Sequence, residues 1–422
     1  MYATRPLRRL LAALACTSVL IVPQAATSAA PARQRLLEGD LGSGPSLPPA
    51  PGPRPTNGIR WSDVPKKHWA RTAIDYVGAT YDWMRDFRLG ADGTYEFRPD
   101  ALESRALFAR AAVAAFAPEE PVDASIHFAD LPDDDRFYPS ANVSVKLGWL
   151  RTDADGNFAP DDAMTTSSLH RALVFALGFG DVAKGAQDLH MHNGKTFDTP
   201  ADFGWLLLGM RLGLRYNHED ETLDVGPDTP LPRSEVAWSL YRAATEPSWT
   251  AETLAPYATI ELPNLSAAMH RVVNFGIRYV GYPYVWSGEW FETTPAGYCC
   301  GYQPIGGFDC SGFTWWLMRA ASSDWNPMPP RDYRGWALPQ RSSAEMASSG
   351  HKVRFKALEP GDLVFYDGDG NGQVDHVDVY LGNGWAMDSG SSVGGVSIVK
   401  VDEGWYRDHF VHGRRVTQQS AN

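Results

Sequence analysis

One pattern of residues recurs three times in the first half of the chain and limits the architecture more than any other feature of the sequence. Each copy has an aromatic opening followed by Asp, an apolar segment with helical spacing, a turn rich in Asp and Gly, a Pro-Asp pair and a second amphipathic segment. The copies begin at Trp61, Phe128 and Phe197. Such a unit cannot bury its apolar face alone, so the copies are expected to pack against one another. The sequence therefore predicts three helical repeats within residues 59–250.

These copies resemble S-layer homology modules, with Pro-Asp pairs at 99–100, 160–161 and 227–228. The resemblance implies a mainly α-helical three-repeat domain whose partner is a secondary cell-wall polymer. The family's Thr-Arg-Ala-Glu element keeps its arginine in the first and third copies, as Arg105 and Arg233, and loses it in the second. Two interpretations of these arginines stay open: a clamp for an anionic glycan, or an ordinary surface ion pair.

Residues 1–30 have the features of a secretory signal peptide, because three arginines precede a short apolar stretch that ends in small residues. Residues 31–58 are rich in Pro and Gly and predict an extended linker. We find no later segment apolar enough to span a bilayer. The net charge is −12 and no basic run follows the leader, which argues against nucleic acid as a partner. The sequence thus predicts a secreted protein without a transmembrane segment.

Beyond the leader the chain has three cysteines, an odd number, so at least one thiol is expected to be free. Cys310 lies in the run Phe308-Asp309-Cys310-Ser311-Gly312, directly before a segment with helical spacing. A thiolate is stabilised at a helix N-terminus by the positive end of the dipole and by unpaired N–H groups. Cys310 is therefore a candidate nucleophile.

The base has to come from another part of the chain. Residues 360–366 predict a strand, and His376 begins a second strand that would pair with it as a hairpin. A third strand over 385–388 would bring Asp388 to the imidazole of His376, where it could fix the tautomer. Three other histidines lack this strand context, and we interpret them as surface or packing residues: His351, His409 and His412.

In their order and spacing these motifs, with Tyr284 in Pro-Tyr-Val-Trp upstream, resemble the NlpC-type papain-like cysteine peptidases over residues 262–416. The resemblance implies an α+β catalytic domain with Cys310 as nucleophile, His376 as base and acid, and Asp388 as orienting residue. The family usually has His, Asn or Gln at the last position. It further implies that Tyr284 supports the oxyanion, that Asp309 meets a substrate amine, and that Ser311 lies beside them in the substrate site.

The implied function is that of a secreted, cell-wall-associated endopeptidase, which needs no cofactor and cuts an amide bond of peptidoglycan stem peptides between D-glutamate and the diamino acid. Two alternatives stay open: a different amide hydrolase or acyl transferase with the same Cys and His, and a non-catalytic wall-binding protein. The adjacent Cys299 and Cys300 could form a vicinal disulfide, remain free or shape the cleft rim.

The segment between the two hairpin strands follows the calcium-loop template, with oxygen-bearing side chains at the expected spacing and Gly at the sixth position. The candidate ligands are Asp367, Asp369, Asn371, Asp375 and Asp378. The alternative is a solvated hairpin turn, because the flanking segments predict strands. His190 and His192, which have no partner at ligand spacing, are interpreted as loop residues.

Overall fold

The computed structural model describes residues 58–87, 89–245, 250–295, 297–319 and 338–416. The predicted leader and, apart from residue 58, the predicted linker lie outside these residues. Among the helices that are described, none combines the length and the apolar character needed to cross a membrane.

Among the described residues of 58–258 the regular secondary structure is mainly helical, as the repeat pattern predicts, with turns between the helices and one two-residue strand. The helices are α1 (Arg71–Ile74), α2 (Arg105–Phe116), α3 (Tyr138–Lys146), α4 (Thr166–Ala176), α5 (Gly180–Gln187), α6 (Phe203–Arg211), α7 (Arg233–Ala244) and α8 (Thr250–Leu254). A π-helical turn, Asp75–Thr80, continues α1, and 3-10 turns cover Glu221–Leu223 and Ala255–Ala258. Two of the helices start on hydroxyl caps, since Ser104 accepts from the Leu107 N–H and Thr165 from the Ser168 N–H.

The first two copies of the repeated pattern make equivalent contacts. The Asp63 carboxylate accepts the N–H groups of residues 97 and 98, and Asp130 accepts those of residues 158 and 159. Both turns then place a non-glycine residue at positive φ, Arg98 at 59° and Ala159 at 54°. In the third copy the backbone N–H of Asp198 instead bonds Asn274, outside the repeats. The sequence pattern therefore corresponds to a repeated local structure in two copies, and the third diverges.

The arginine of the third copy does not lie on the surface, which corrects both interpretations offered for it. Arg233 is 1% exposed and donates to Glu103, to Asp86 at 2.6 Å and to the carbonyls of residues 84 and 97. Arg105 donates to the carbonyls of Phe158 at 2.8 Å and Arg151 at 2.6 Å. Because Arg233 is buried with its donors engaged, it holds two copies together and is not free to clamp a glycan.

Residues 261–416 combine helices with a six-stranded antiparallel sheet. The helices are α9 (Ala267–Gly276), α10 (Cys310–Arg319), α11 (Ser343–Met346) and α12 (Gly404–Asp408), with 3-10 turns at Ile277–Tyr279 and Phe355–Ala357. The strands of the main sheet are β5 (His351–Val353), β6 (Leu363–Tyr366), β7 (His376–Gly382), β8 (Trp385–Gly390), β9 (Gly395–Lys400) and β10 (Phe410–Arg415). Their order across the sheet is β5-β10-β6-β7-β8-β9. Two short pairs complete the strands: β1 (His190–Met191) with β2 (Glu261–Leu262), and β3 (Glu289–Trp290) with β4 (Gly307–Phe308).

The helical region and the sheet share one hydrophobic core. Arg215 donates to the carbonyl of Gly281 at 2.8 Å, and the Tyr257 hydroxyl donates to the carbonyl of Ile398 in β9 at 3.0 Å. Strand β1, from the helical region, pairs in parallel with β2 at the start of the second region. These contacts place the helical region against the edge strand β9, while α10 covers β7 and β8. The site described next lies between α10 and β7.

Candidate active site

Cys310 is the first residue of α10, as the helical spacing predicts. It is a free cysteine, 8% exposed, and its Sγ lies 4.0 Å from the carbonyl oxygen of Asp375, the residue before β7. The Asp309 carboxylate accepts from the N–H of Gly312 and from the Ser311 hydroxyl, and so caps the start of the helix. The thiol therefore lies at a capped helix N-terminus beside the strand that carries the candidate base.

The strand register brings His376 and Asp388 together. The β6–β7 hairpin pairs Tyr366 with His376, and the β7–β8 pairing sets Val379 opposite Met387, which places Asp388 on the face that His376 occupies. The Nε2 atom of His376 lies 2.9 Å from Asp388 Oδ1. The structure thus brings His376 and Asp388 into contact, with Cys310 near enough to influence the same imidazole.

The electrostatic surroundings favour a protonated His376. Burial opposes the charged ring, but the negative charges of Asp388, Cys310 and Asp378 outweigh it and raise the pKa of His376 well above its ordinary value. Burial would raise the pKa of Asp388, yet attraction by His376 and its hydrogen bond lower it. The arrangement therefore favours an imidazolium that is paired with an ionised Asp388.

A second carboxyl group faces the same imidazole. Asp378 Oδ1 lies 3.2 Å from His376 Nε2, and the residue is completely buried. On the far side of the pair, the Tyr406 hydroxyl donates to Asp388 Oδ2 at 2.8 Å. Sequence patterns show that Asp378 shares a strand face with His376 but not that it contacts the ring, and no local signal marks Tyr406, which comes from α12.

The thiol opens into a cleft of about 700 Å³ that is lined by Tyr284, Asp309, Cys310 and Ser311. Burial and the charge of Cys310 raise the pKa of Tyr284 well above its ordinary value, so its hydroxyl stays protonated and can donate. A hydroxyl donor and the first N–H groups of α10 therefore border the same space. Trp286, 74% exposed, stands at the rim.

Arg341 organises the floor of this cleft, and the sequence offers no signal for it. Its guanidinium donates to Glu289 at 2.8 Å, to Asp309 at 3.1 Å and to the Ser311 hydroxyl at 2.8 Å. The predicted substrate contacts of Asp309 and Ser311 thus fall on groups that already have intramolecular partners. These partners orient Asp309 and Ser311, and their contact with a substrate stays a prediction.

The competing histidines occupy other surroundings. His351 is exposed on the edge strand β5, His409 contacts the carbonyl of Trp405 at 2.8 Å, and the buried His412 contacts the carbonyl of Ala347 at 3.1 Å. His190 lies on β1 and His192 directly follows it, and Glu261 of β2 comes within 4.0 Å and 2.8 Å of their rings. The sequence does not reveal this carboxylate because it is distant in the chain.

Cys299 and Cys300 are joined in a vicinal disulfide, which excludes the alternative of two free thiols. Both residues line the cleft, and the N–H of Cys299 donates to Glu289, a partner of Arg341. The disulfide therefore belongs to the rim of the candidate active site.

The predicted calcium site is not assembled. The Asp367 carboxylate accepts the N–H groups of Asn371 and Gly372, and Asp375 accepts those of Gly368 and Asp369. Asp378, the twelfth position of the template, points into the core and contacts His376. The two residues are two positions apart on β7, so their side chains lie on the same face of the sheet. Among the described residues, potential ligand groups converge at His376, Asp378 and Asp388 and not in this loop. Asp367, Asp369, Asn371 and Asp375 form a self-bonded hairpin turn.

Residues 281–415 match the model of the NlpC/P60 family. The bifunctional muramidase/DL-endopeptidase CwlT of Bacillus subtilis is 32% identical over 146 residues, which cover 34% of this chain and 36% of that protein. The peptidoglycan endopeptidase RipB of Mycobacterium tuberculosis is 31% identical over 157 residues, 37% of this chain and 58% of that protein. A crystal structure of an NlpC/P60 family protein from Bacillus cereus is 27% identical and covers 36% of this chain and 41% of that one, with a TM-score of 0.26.

A thiol at a helix start that faces a histidine on an antiparallel sheet defines a papain-like catalytic domain. Together with the family match, this makes the C-terminal part of the chain an NlpC/P60 domain. The similarity spans 36% and 58% of the lengths of these two relatives.

Proposed function

We propose that this chain is a secreted, wall-associated cysteine endopeptidase that hydrolyses an amide bond of peptidoglycan stem peptides. The observation that carries the proposal is the placement of a free Cys310 at the start of α10, beside a His376 that Asp388 contacts at 2.9 Å. The names of two relatives, an endopeptidase and a DL-endopeptidase, support the substrate class. We further propose the bond between D-glutamate and the diamino acid.

In the first half of the proposed reaction, the Cys310 thiolate attacks the amide carbonyl and His376 carries the proton. The negative oxygen of the tetrahedral intermediate is stabilised by the Cys310 N–H and the Tyr284 hydroxyl. His376 then gives its proton to the leaving amine, which departs and leaves a thioester on Cys310.

In the second half, His376 takes a proton from water, and the resulting hydroxide attacks the thioester. Asp388 holds the ring in one tautomer through both halves and stabilises the imidazolium whenever it forms. The products are a free carboxylate, a free amine and the regenerated thiol.

For the helical region we propose wall attachment, as its resemblance to S-layer homology modules implies. Since Arg233 is closed off inside, the contact surface has to consist of other residues. The test is retention of the full chain, as Cys310→Ala, on purified walls with and without their secondary polymer. Equal retention on both kinds of wall removes the polymer as a partner.

The decisive experiment is mass spectrometry of defined muropeptides after digestion by the wild type and by Cys310→Ala. We expect the wild type to release fragments that end at D-glutamate, and the variant to release none. Cleavage at another bond would mean that the protein is a hydrolase with a different bond specificity from the one proposed. A product in which an amine has been added to the fragment indicates an acyl transferase. An inert wild type indicates a wall-binding protein.

A further inference from the structure

His376 faces two buried carboxyl groups, although one orienting residue is sufficient for the proposed mechanism. Its Nε2 lies 2.9 Å from Asp388 and 3.2 Å from Asp378, and candidate atoms of all three side chains lie within 4.8 Å of one another. Both carboxyl groups are essentially inaccessible, at 1% and 0% exposure. Two carboxylates this close and this dry cannot both ionise cheaply.

The hydrogen bonds distinguish the two acids. Asp388 Oδ2 receives the Tyr406 hydroxyl at 2.8 Å, whereas both oxygens of Asp378, like Asp388 Oδ1, lack a hydrogen-bond partner of ordinary geometry among the described residues. An ionised carboxylate with no well-aligned donor is costly in such a place, while a neutral carboxyl group can itself donate. Asp388 is thus built to carry the charge and Asp378 to carry a proton.

Two cationic side chains lie near Asp388, namely His376 and Arg211, the last residue of α6. Burial alone would lower the pKa of Arg211, but Tyr257, Tyr406 and Asp388 raise it.

We propose that Asp378 is a positioning residue for the proposed cysteine peptidase site. Its neutral carboxyl group donates a hydrogen bond to Asp388 and so holds Asp388 against His376. The proposal rests on the proposed function only for the name of the reaction, because the hydrogen bond from Asp378 to Asp388 acts on His376 whatever the substrate of Cys310 is.

The neutral form has a limited pH range. Burial and repulsion by Asp388 raise the pKa of Asp378 to about 7, while attraction by His376 opposes the rise. As an acid with a raised pKa, Asp378 contributes stability below its unfolded value, and this contribution is lost as the pH rises through about 7. The groups that face Asp378 from the surrounding elements are Tyr366 of β6, His376 of β7, Asp388 of β8 and Tyr406 of α12, and Cys310 of α10 acts on the neighbouring His376.

The test measures the rate at which iodoacetamide alkylates Cys310, so it needs no peptidoglycan. At about pH 5.5, below the titration of Asp378, we expect Asp378→Asn to react within about twofold of the wild type, because the amide keeps a neutral donor. We expect Asp378→Leu and Asp388→Asn to react about tenfold slower or worse, the loss typical of a hydrogen bond to a charged group. Above about pH 7 the wild type and Asp378→Asn should diverge, since the wild type alone gains a charge that holds the imidazolium proton.

The proposal is overturned if Asp378→Asn reacts as slowly as Asp388→Asn at low pH, because the charge of Asp378 would then be essential. It is also overturned if Asp378→Leu reacts as fast as the wild type. Superimposable pH profiles of the wild type and Asp378→Asn also overturn it. Asp378→Ser, a smaller neutral donor, replaces Asp378→Asn if that variant does not fold. A wild type that alkylates as expected but cuts no muropeptide refutes the proposed function and leaves this inference standing.

Discussion

Two buried clusters of charge lie in this molecule and differ in what neutralises them. In the helical region, Asp86 and Glu103 meet two guanidiniums, those of Arg110 and Arg233. In the candidate active site, two carboxyl groups meet the imidazole of His376. A guanidinium keeps its proton at all relevant pH values, whereas an imidazole exchanges it near neutrality. The first cluster therefore fixes a structure, and the second can move a proton.

Access to solvent separates the clusters further. Arg233 and Glu103 are 1% and 0% exposed and lie between repeat copies. The His376 side chain keeps 16% exposure, and the neighbouring Cys310 borders a cleft of about 700 Å³. Buried charge therefore stabilises the fold in the closed cluster around Arg233, whereas in the cluster around His376, which is open to the cleft on one side, it can take part in a reaction.

The largest effect on activity is expected when the imidazole of His376 is removed. His376→Ala should lower kcat/KM on the cleaved muropeptide by at least ~10³-fold, because a catalytic unit loses most of its activity with any essential member. His351→Ala, which alters an exposed histidine on β5, is the matched control and should leave the rate unchanged. If both variants keep wild-type activity, His376 is not the base.

Removing a fixed charge should act on stability and not on chemistry. Arg233→Met leaves Asp86 and Glu103 buried with one guanidinium fewer, and should lower the free energy of unfolding by about 3–5 kcal/mol. Lys184→Met, in an exposed pair with Asp181, should cost about 0–1 kcal/mol. Denaturant titration of both variants measures the difference, and equal values would mean that the buried cluster is not stabilising.

A smaller effect on activity is expected when the Tyr406 hydroxyl, which donates to Asp388, is removed. Tyr406→Phe removes a donor to an ionised carboxylate, so kcat/KM should fall about tenfold. Tyr138→Phe removes a hydroxyl that donates to the carbonyl of Ile126 at 2.7 Å, in the helical region. That control should lose about 1 kcal/mol of stability and no activity. Steady-state kinetics with thermal melting separate the two results.

No effect is expected from calcium. The carboxylates of the hairpin loop accept the loop's own N–H groups, so the melting temperature in chelator should equal that in millimolar calcium. A rise in melting temperature with calcium would show that the loop rearranges around the ion.

The candidate site was largely predictable because its parts lie in short local patterns. Cys310 precedes an apolar helix, and the alternation of β7 and β8 places His376 and Asp388 on one face. The partners from distant segments were not predictable, since nothing near Arg341 or Tyr406 in the chain encodes which carboxylate each will meet. The calcium site stays a prediction, but its twelfth residue, Asp378, faces His376, because a loop template does not specify whether a helix or a strand follows it.

The sequence by itself determined the mainly helical character of the first region, the mixed helix and sheet architecture of the second region, and the identity of a cysteine and a histidine that could react. These depend on local periodicity and on chemistry carried by single residues. Only the tertiary structure decided that Arg233 is buried, that Asp378 turns from a loop ligand into a neighbour of His376, and that Arg341 orients the cleft. Each of these depends on which distant group supplies a counter-charge, because the cost of burying an ionisable side chain is set by its surroundings in space.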